Sequence, residues 1–340
     1  MDITDFQINI TEGIKMETPM KYMTGVALLC VAQWGWALQV PGPVVDGEWL
    51  AKNKAEVTVL DVRPDQKTFL TPAQYETDKR SGKKVLRELG GHIEDAAPVD
   101  NASVRVERVI GAHKVKFMLP QRADFEKLAR QWGVQQGRPV VIVAAGQHPA
   151  DLNEAARLYW QFKVYGQDNI AIVNGGTAAW LAEGRDLTTA ASKVLEGNWV
   201  AKPERAEMVA TSEDVEKALA GKSVQLVDAR ITSQYLGLSK KDMVSGYGHI
   251  PGAKSVASEL LTTEGAATRM LSLATYRDIY KASGVDPQAP VITYCNTGTL
   301  AAGSWFVLSE LLGNKKARLY DGSMHQWTLE KRPLQSVSRE

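Results

Sequence analysis

A chain of 340 residues with 44% hydrophobic and 23% charged side chains is long enough for two domains, and its composition excludes a disordered, collagen-like or polytopic membrane protein. Forty basic against 39 acidic side chains leave a net charge of +1, so nothing global points to a nucleic-acid partner. Two cysteines, Cys30 and Cys295, exclude a disulfide scaffold and any zinc or iron–sulfur site built from cysteines.

The N-terminal segment reads as a leader. From Tyr22 to Val45 there is no charged residue, Lys15 and Lys21 lie upstream, and the apolar heart Val26–Ala32 is too short to span a bilayer. Gly35 and Ala37 supply small residues at the −3 and −1 positions of a cleavage site, so residues 1–37 are expected to be a signal peptide removed before Leu38. Translation from Met16 or Met20 would omit most of the acidic stretch in front. Cys30 would leave with the leader, placing a one-cysteine protein in the periplasm or outside the cell, with no stable membrane domain.

An internal repeat follows. TVLDVR, ending at Arg63, returns as QLVDAR at Arg230; VIGAHKV at 109–115 is matched to IPGAKSV at 250–256; PVVIVAAG at 139–146 returns as PVITYCNTG at 290–298; and NIAIVNGGTAAW at 169–180 returns as KARLYDGSMHQW at 316–327. The order is preserved, which predicts two homologous domains at 42–190 and 206–335, joined by a linker at 191–205. The first copy is longer, and the charged stretch 66–101 is expected to be an exposed insertion. Short β-branched runs such as VQLVDA and PVITY alternate with helical patterns, among them TSEDVEKALA behind the cap Thr211 and ATYRDIYKASG ending at Gly284. That alternation predicts an α/β fold in which each copy is a parallel sheet flanked by helices.

Cys295 stands after the strand PVITY and before a helix that begins near Leu300. A residue at the carboxyl end of a parallel strand faces the crevice where such sheets bind ligands. The loop CNTGTL is small, Gly298 permits a positive φ, and successive N–H groups can form an anion nest backed by a helix dipole. Such surroundings are expected to favour thiolate and so make Cys295 a nucleophile. The first copy has Ala144 at this position, in a loop four residues longer, and carries no nucleophile. A cysteine phosphatase would need arginine six residues after the cysteine, where Ala301 stands. A cysteine peptidase would need a histidine base, and His249 and His325 belong to turn motifs.

These residues resemble the rhodanese family of tandem-domain sulfurtransferases, through LVDAR (226–230), GHIPGA (248–253), CNTGTLA (295–301) and YDGSMHQW (320–327). The resemblance implies an inactive first domain, an active second one and no cofactor or metal. It implies a Cys295 persulfide made from a small sulfur-donor anion such as thiosulfate, with 3-mercaptopyruvate as another candidate donor, and passed to a thiophilic acceptor, cyanide or a thiol. The amides from Asn296 through Thr297, Gly298 and Thr299 to Leu300 would hold the persulfide, the two threonine hydroxyls adding donors. Arg230 would bind the donor's anionic group, a salt bridge to Asp228 being the competing reading; Lys240 or Lys241 could assist. His249, Asp321 and Trp327 are expected to be structural. Because CNTGT is neutral, a carrier that binds sulfur and hands it to a partner is the rival function.

Overall fold

The computed structural model describes residues 38–338; the expected leader, with Cys30, lies outside them. Strands follow in chain order as β1 (Val44–Val45), β2 (Thr58–Arg63), β3 (Gln74–Thr77), β4 (Lys84–Glu88), β5 (Ala97–Asp100), β6 (Val106–Ile110), β7 (His113–Met118), β8 (Val140–Ala144) and β9 (Ile170–Val173), then β10 (Val209–Ala210), β11 (Gln225–Asp228), β12 (Lys254–Ser255), β13 (Val291–Tyr294) and β14 (Ala317–Tyr320). One five-stranded sheet has the order β1-β9-β8-β2-β5 and the other β10-β14-β13-β11-β12, so the two copies share one topology. Every pairing in both sheets is parallel. The central strands β8 and β13 are buried along their whole length, as continuous apolar runs covered on both faces should be.

The structure corrects one match of the repeat. GHIEDAAPV at 91–99, rather than 109–115, is the partner of GHIPGAKSV at 248–256. Strand β5 lies beside β2 as β12 lies beside β11, and His92 Nδ1 meets the Phe69 carbonyl as His249 Nδ1 meets that of Tyr235. Each imidazole also stacks on the aromatic ring of the same partner residue, with centroids 3.5 and 3.8 Å apart. Residues 109–115 instead lie in the antiparallel hairpin β6–β7. The expected insertion shrinks accordingly: the exposed part of 66–101 is the hairpin β3–β4, whereas Leu89, Ile93, Ala96 and Val99 are core residues.

The two copies are joined through a shared apolar core. The helix after Ala144, Pro149–Val164, packs on the helix after Cys295, Thr299–Phe306. Tyr159 meets Phe306 edge to face at 4.9 Å, and Gly303 lies so close to Asn153 that a Cβ there would overlap its Oδ1. Residues 191–205 run extended, with Trp199 packed against Phe125 and Phe162. Among the described residues, no helix is long and apolar enough to cross a membrane.

Candidate active site

Cys295 follows the last residue of β13, and its loop turns at Gly298 into the helix Thr299–Phe306. Gly298 has φ +84°, and a Cβ there would stand 2.6 Å from Arg157 Nη1 and 2.7 Å from Asp321 Oδ1. The loop is pinned from the segment after β14. Met324 N donates to the Cys295 carbonyl at 3.0 Å, and His325 N donates to that of Asn296 at 2.9 Å. Ser323 Oγ accepts from Cys295 N at 3.1 Å and donates to the Tyr320 carbonyl at 2.8 Å. Ser323 holds φ +48°, a left-handed conformation costing a non-glycine residue about 1–2 kcal/mol, which these bonds offset.

The first copy shows what such a loop does with its amides. There Gln147 N and His148 N donate to the Asp151 carboxylate at 2.8 and 3.0 Å, so an internal anion occupies the turn. Above it, Thr268 of the second copy bonds the Gly146 carbonyl through both its amide and its hydroxyl. In the second copy the N–H groups from Asn296 to Leu300 find no acceptor among the described residues. A row of amides at a helix start, unbonded beside a thiol, suits a small anion or an anionic sulfur held on that thiol. Cys295 itself is only 1% exposed.

Arg230 makes the salt bridge to Asp228 that was the competing expectation for it. Its Nε and Nη2 bond the Asp228 carboxylate at 2.6–3.1 Å, and Nη2 also bonds the Gly248 carbonyl at 2.8 Å. Arg63 makes the same set with Asp61 and Gly91 in the copy that has no nucleophile. A bond pattern kept without a thiol serves the fold: it ties the end of the strand to the following histidine turn. Burial opposes the charge of Arg230, yet Asp228 holds its pKa above the ordinary value, with smaller support from Tyr294 and Cys295. Of the two candidate lysines, Lys240 lies over the Tyr247 ring and Lys241 is exposed. Asp321 takes a buried ion pair from Arg157 and the Leu119 amide at 2.6 Å, joining the two copies beside Gly298. Trp327 is buried against Tyr320.

Gln234 and Arg105 stand at the loop without a sequence signal of their own. Gln234 accepts from Asn296 Nδ2 at 2.8 Å, which leaves Asn296 Oδ1 buried without a partner among the described residues. His325 Nδ1 is held by the Met243 carbonyl at 2.7 Å while its buried Nε2 has no partner. Arg105, from the first copy, donates through Nη1 to Thr299 Oγ1 at 3.1 Å. Thr297 and Leu300 are half-buried on the loop.

Two five-stranded parallel sheets of one topology, only the second ending in a thiol over unbonded amides, define a tandem α/β protein with a single cysteine-headed anion loop. The profile of the rhodanese-like domain matches residues 46–183 and again 211–330, and the chain belongs to the rhodanese family. It is similar to the thiosulfate sulfurtransferase of Bos taurus, with 28% identity over 84% of this chain and 91% of the relative. It is also similar to the sulfur carrier protein TtuD of Thermus thermophilus, with 30% identity over 84% of this chain and 94% of the relative. Among solved structures, the 3-mercaptopyruvate sulfurtransferase SseA of Escherichia coli superposes with a TM-score of 0.65 at 24% identity, covering 83% of this chain and 98% of that one.

Proposed function

We propose that this protein is a sulfurtransferase that takes a sulfane sulfur from thiosulfate and delivers it to a thiophilic acceptor through a persulfide on Cys295. The observation that carries this reading is the row of unbonded amides beside the thiol, where the sister loop closes on its own carboxylate. The Cys295 thiolate attacks the outer sulfur of thiosulfate; the new S–S bond forms as the bond to the sulfonate sulfur breaks, and sulfite leaves with the electron pair. Cyanide or a thiolate then attacks the outer persulfide sulfur, releasing thiocyanate or a new persulfide and returning Cys295 to thiolate. The amides of residues 296–300 stabilise the anion at each stage.

Intact-mass measurement after incubation with thiosulfate should find the protein one sulfur atom heavier, with thiocyanate released on adding cyanide. Cys295→Ser should do neither; a variant that retains either activity removes Cys295 as the nucleophile. A second reading is favoured by the buried thiol and the neutral loop: a carrier that loads sulfur but turns over negligibly until an acceptor protein docks. Loading with no more than one equivalent of thiocyanate, and no turnover, selects it. From the leader pattern of residues 1–37 we further propose that the protein acts in the periplasm or outside the cell, which requires that the mature chain recovered from its host begin near Leu38; sequencing that N-terminus and finding residues 16–37 intact would remove the secretion proposal.

A further inference from the structure

We propose that Arg105, carried by the nucleophile-free first domain, is the residue that binds the anionic end of the sulfur donor at Cys295. This rests on the sulfurtransferase reading and adds what recognises the donor. A dianion brought to a buried thiolate meets charge repulsion that amides alone offset only in part, so a cation at the site is needed. The loop 295–300 contains none. Arg230 is committed to Asp228 and Gly248, and Arg157, fully buried, to Asp321 and the Phe117 carbonyl.

Arg105 is placed differently. Its Nε bonds the Asn101 carbonyl at 3.1 Å, fixing the root of the guanidinium, and Nη1 reaches Thr299, the first residue of the helix that starts on the cysteine loop. Nη2 has no acceptor among the described residues, and the side chain is half-buried. One face of the guanidinium lies 5.9 Å from the centroid of Phe117, whose ring in turn meets His325. Phe117 holds φ +65° within β7, opposite a shift in the register of the hairpin β6–β7. Glu154 faces the same guanidinium, but burial raises its carboxyl pKa against the opposing effect of Arg105, Asn101 and Arg157. Glu154 Oε2 makes no hydrogen bond among the described residues, so the guanidinium is not tied to this carboxyl oxygen. A planar guanidinium with one amine edge unbonded suits the two oxygens of a sulfonate or carboxylate.

The test compares wild type with Arg105→Gln, Arg105→Ala and Arg105→Lys, after thermal melting shows which of them fold. Glutamine keeps a donor for Thr299 and removes the charge. Thiosulfate kcat/KM should fall about 10- to 100-fold in Arg105→Gln, as expected for loss of one charged hydrogen-bonded contact, with partial recovery in Arg105→Lys. Attack of Cys295 on the uncharged donor elemental sulfur opens the sulfur ring and leaves the whole polysulfide chain, ending in an anionic sulfur, on the cysteine; the rate of that addition, read by intact mass, should change by less than about 3-fold, since the donor brings no anionic group to be held. Equal thiosulfate kinetics in folded Arg105→Gln and wild type would overturn the role of Arg105 while leaving the sulfurtransferase reading intact. A parallel loss with both donors would also overturn it, by making the effect structural. Wild type that loads from neither donor would overturn the underlying reading and this one with it.

Discussion

Arg230→Ala should destabilise the protein by about 3–5 kcal/mol in chemical denaturation, because it strands a buried carboxylate that now has a guanidinium on it. Asp228 and Arg230 are both almost wholly buried, and the bond to the Gly248 carbonyl would be lost with the ion pair. Arg63→Ala, which removes the matching pair with Asp61 in the other copy, should cost a similar amount. The comparison separates structure from substrate binding, since Arg63 has no thiol nearby to serve. If Arg230→Ala kept wild-type stability while thiosulfate kcat/KM collapsed, the guanidinium would belong to the donor after all.

The second large effect is expected where the copies meet. Asp321→Ala leaves the fully buried Arg157 without its counter-charge and the Leu119 amide without its acceptor, again about 3–5 kcal/mol. Arg157→Ala should hurt comparably, yet the double variant should be well short of the sum, because removing both charges strands neither. Additive losses would mean that the pair is not coupled. Both single variants should also slow sulfur loading, since Gly298 turns against this pair and the amide row depends on that turn. The interface is thus part of the loop's support, and a structural role for Asp321 reaches the reaction through geometry.

The parts of the site that were legible in the sequence are those made by neighbours in the chain. A strand, a cysteine, small residues and Gly298 announce a turn with inward amides whatever surrounds them. The doubled topology was legible too, because Asp61 and Asp228, or Ala144 and Cys295, sit in runs whose strand patterns match. Two things were hidden. The histidine turn of the first copy escaped because Glu94 and Asp95 replace Pro251 and Gly252; Asp95 takes φ +65° where Gly252 has +74°, so the backbone is the same and the letters are not. Arg105 escaped because its partner Thr299 is 194 residues away, and no local pattern marks an arginine that acts across a domain boundary. Arg230 shows the converse: the motif LVDAR suits a donor ligand or a partner for Asp228 equally well, and only the burial of the pair, which the letters do not carry, favours the frame.

The carboxylate of Asp151 has a meaning for the redesign of the chain. A turn that bonds its own acid has a permanent occupant, tethered at an effective concentration no dissolved anion can match. A thiol placed at position 144 would face a turn whose Gln147 and His148 amides are already taken, beneath a threonine from the other domain and in a cleft of only about 20 Å³. Self-occupation of the loop therefore sets the terms of redesign: a cysteine at 144 recovers nothing until the Asp151 carboxylate is removed from those amides.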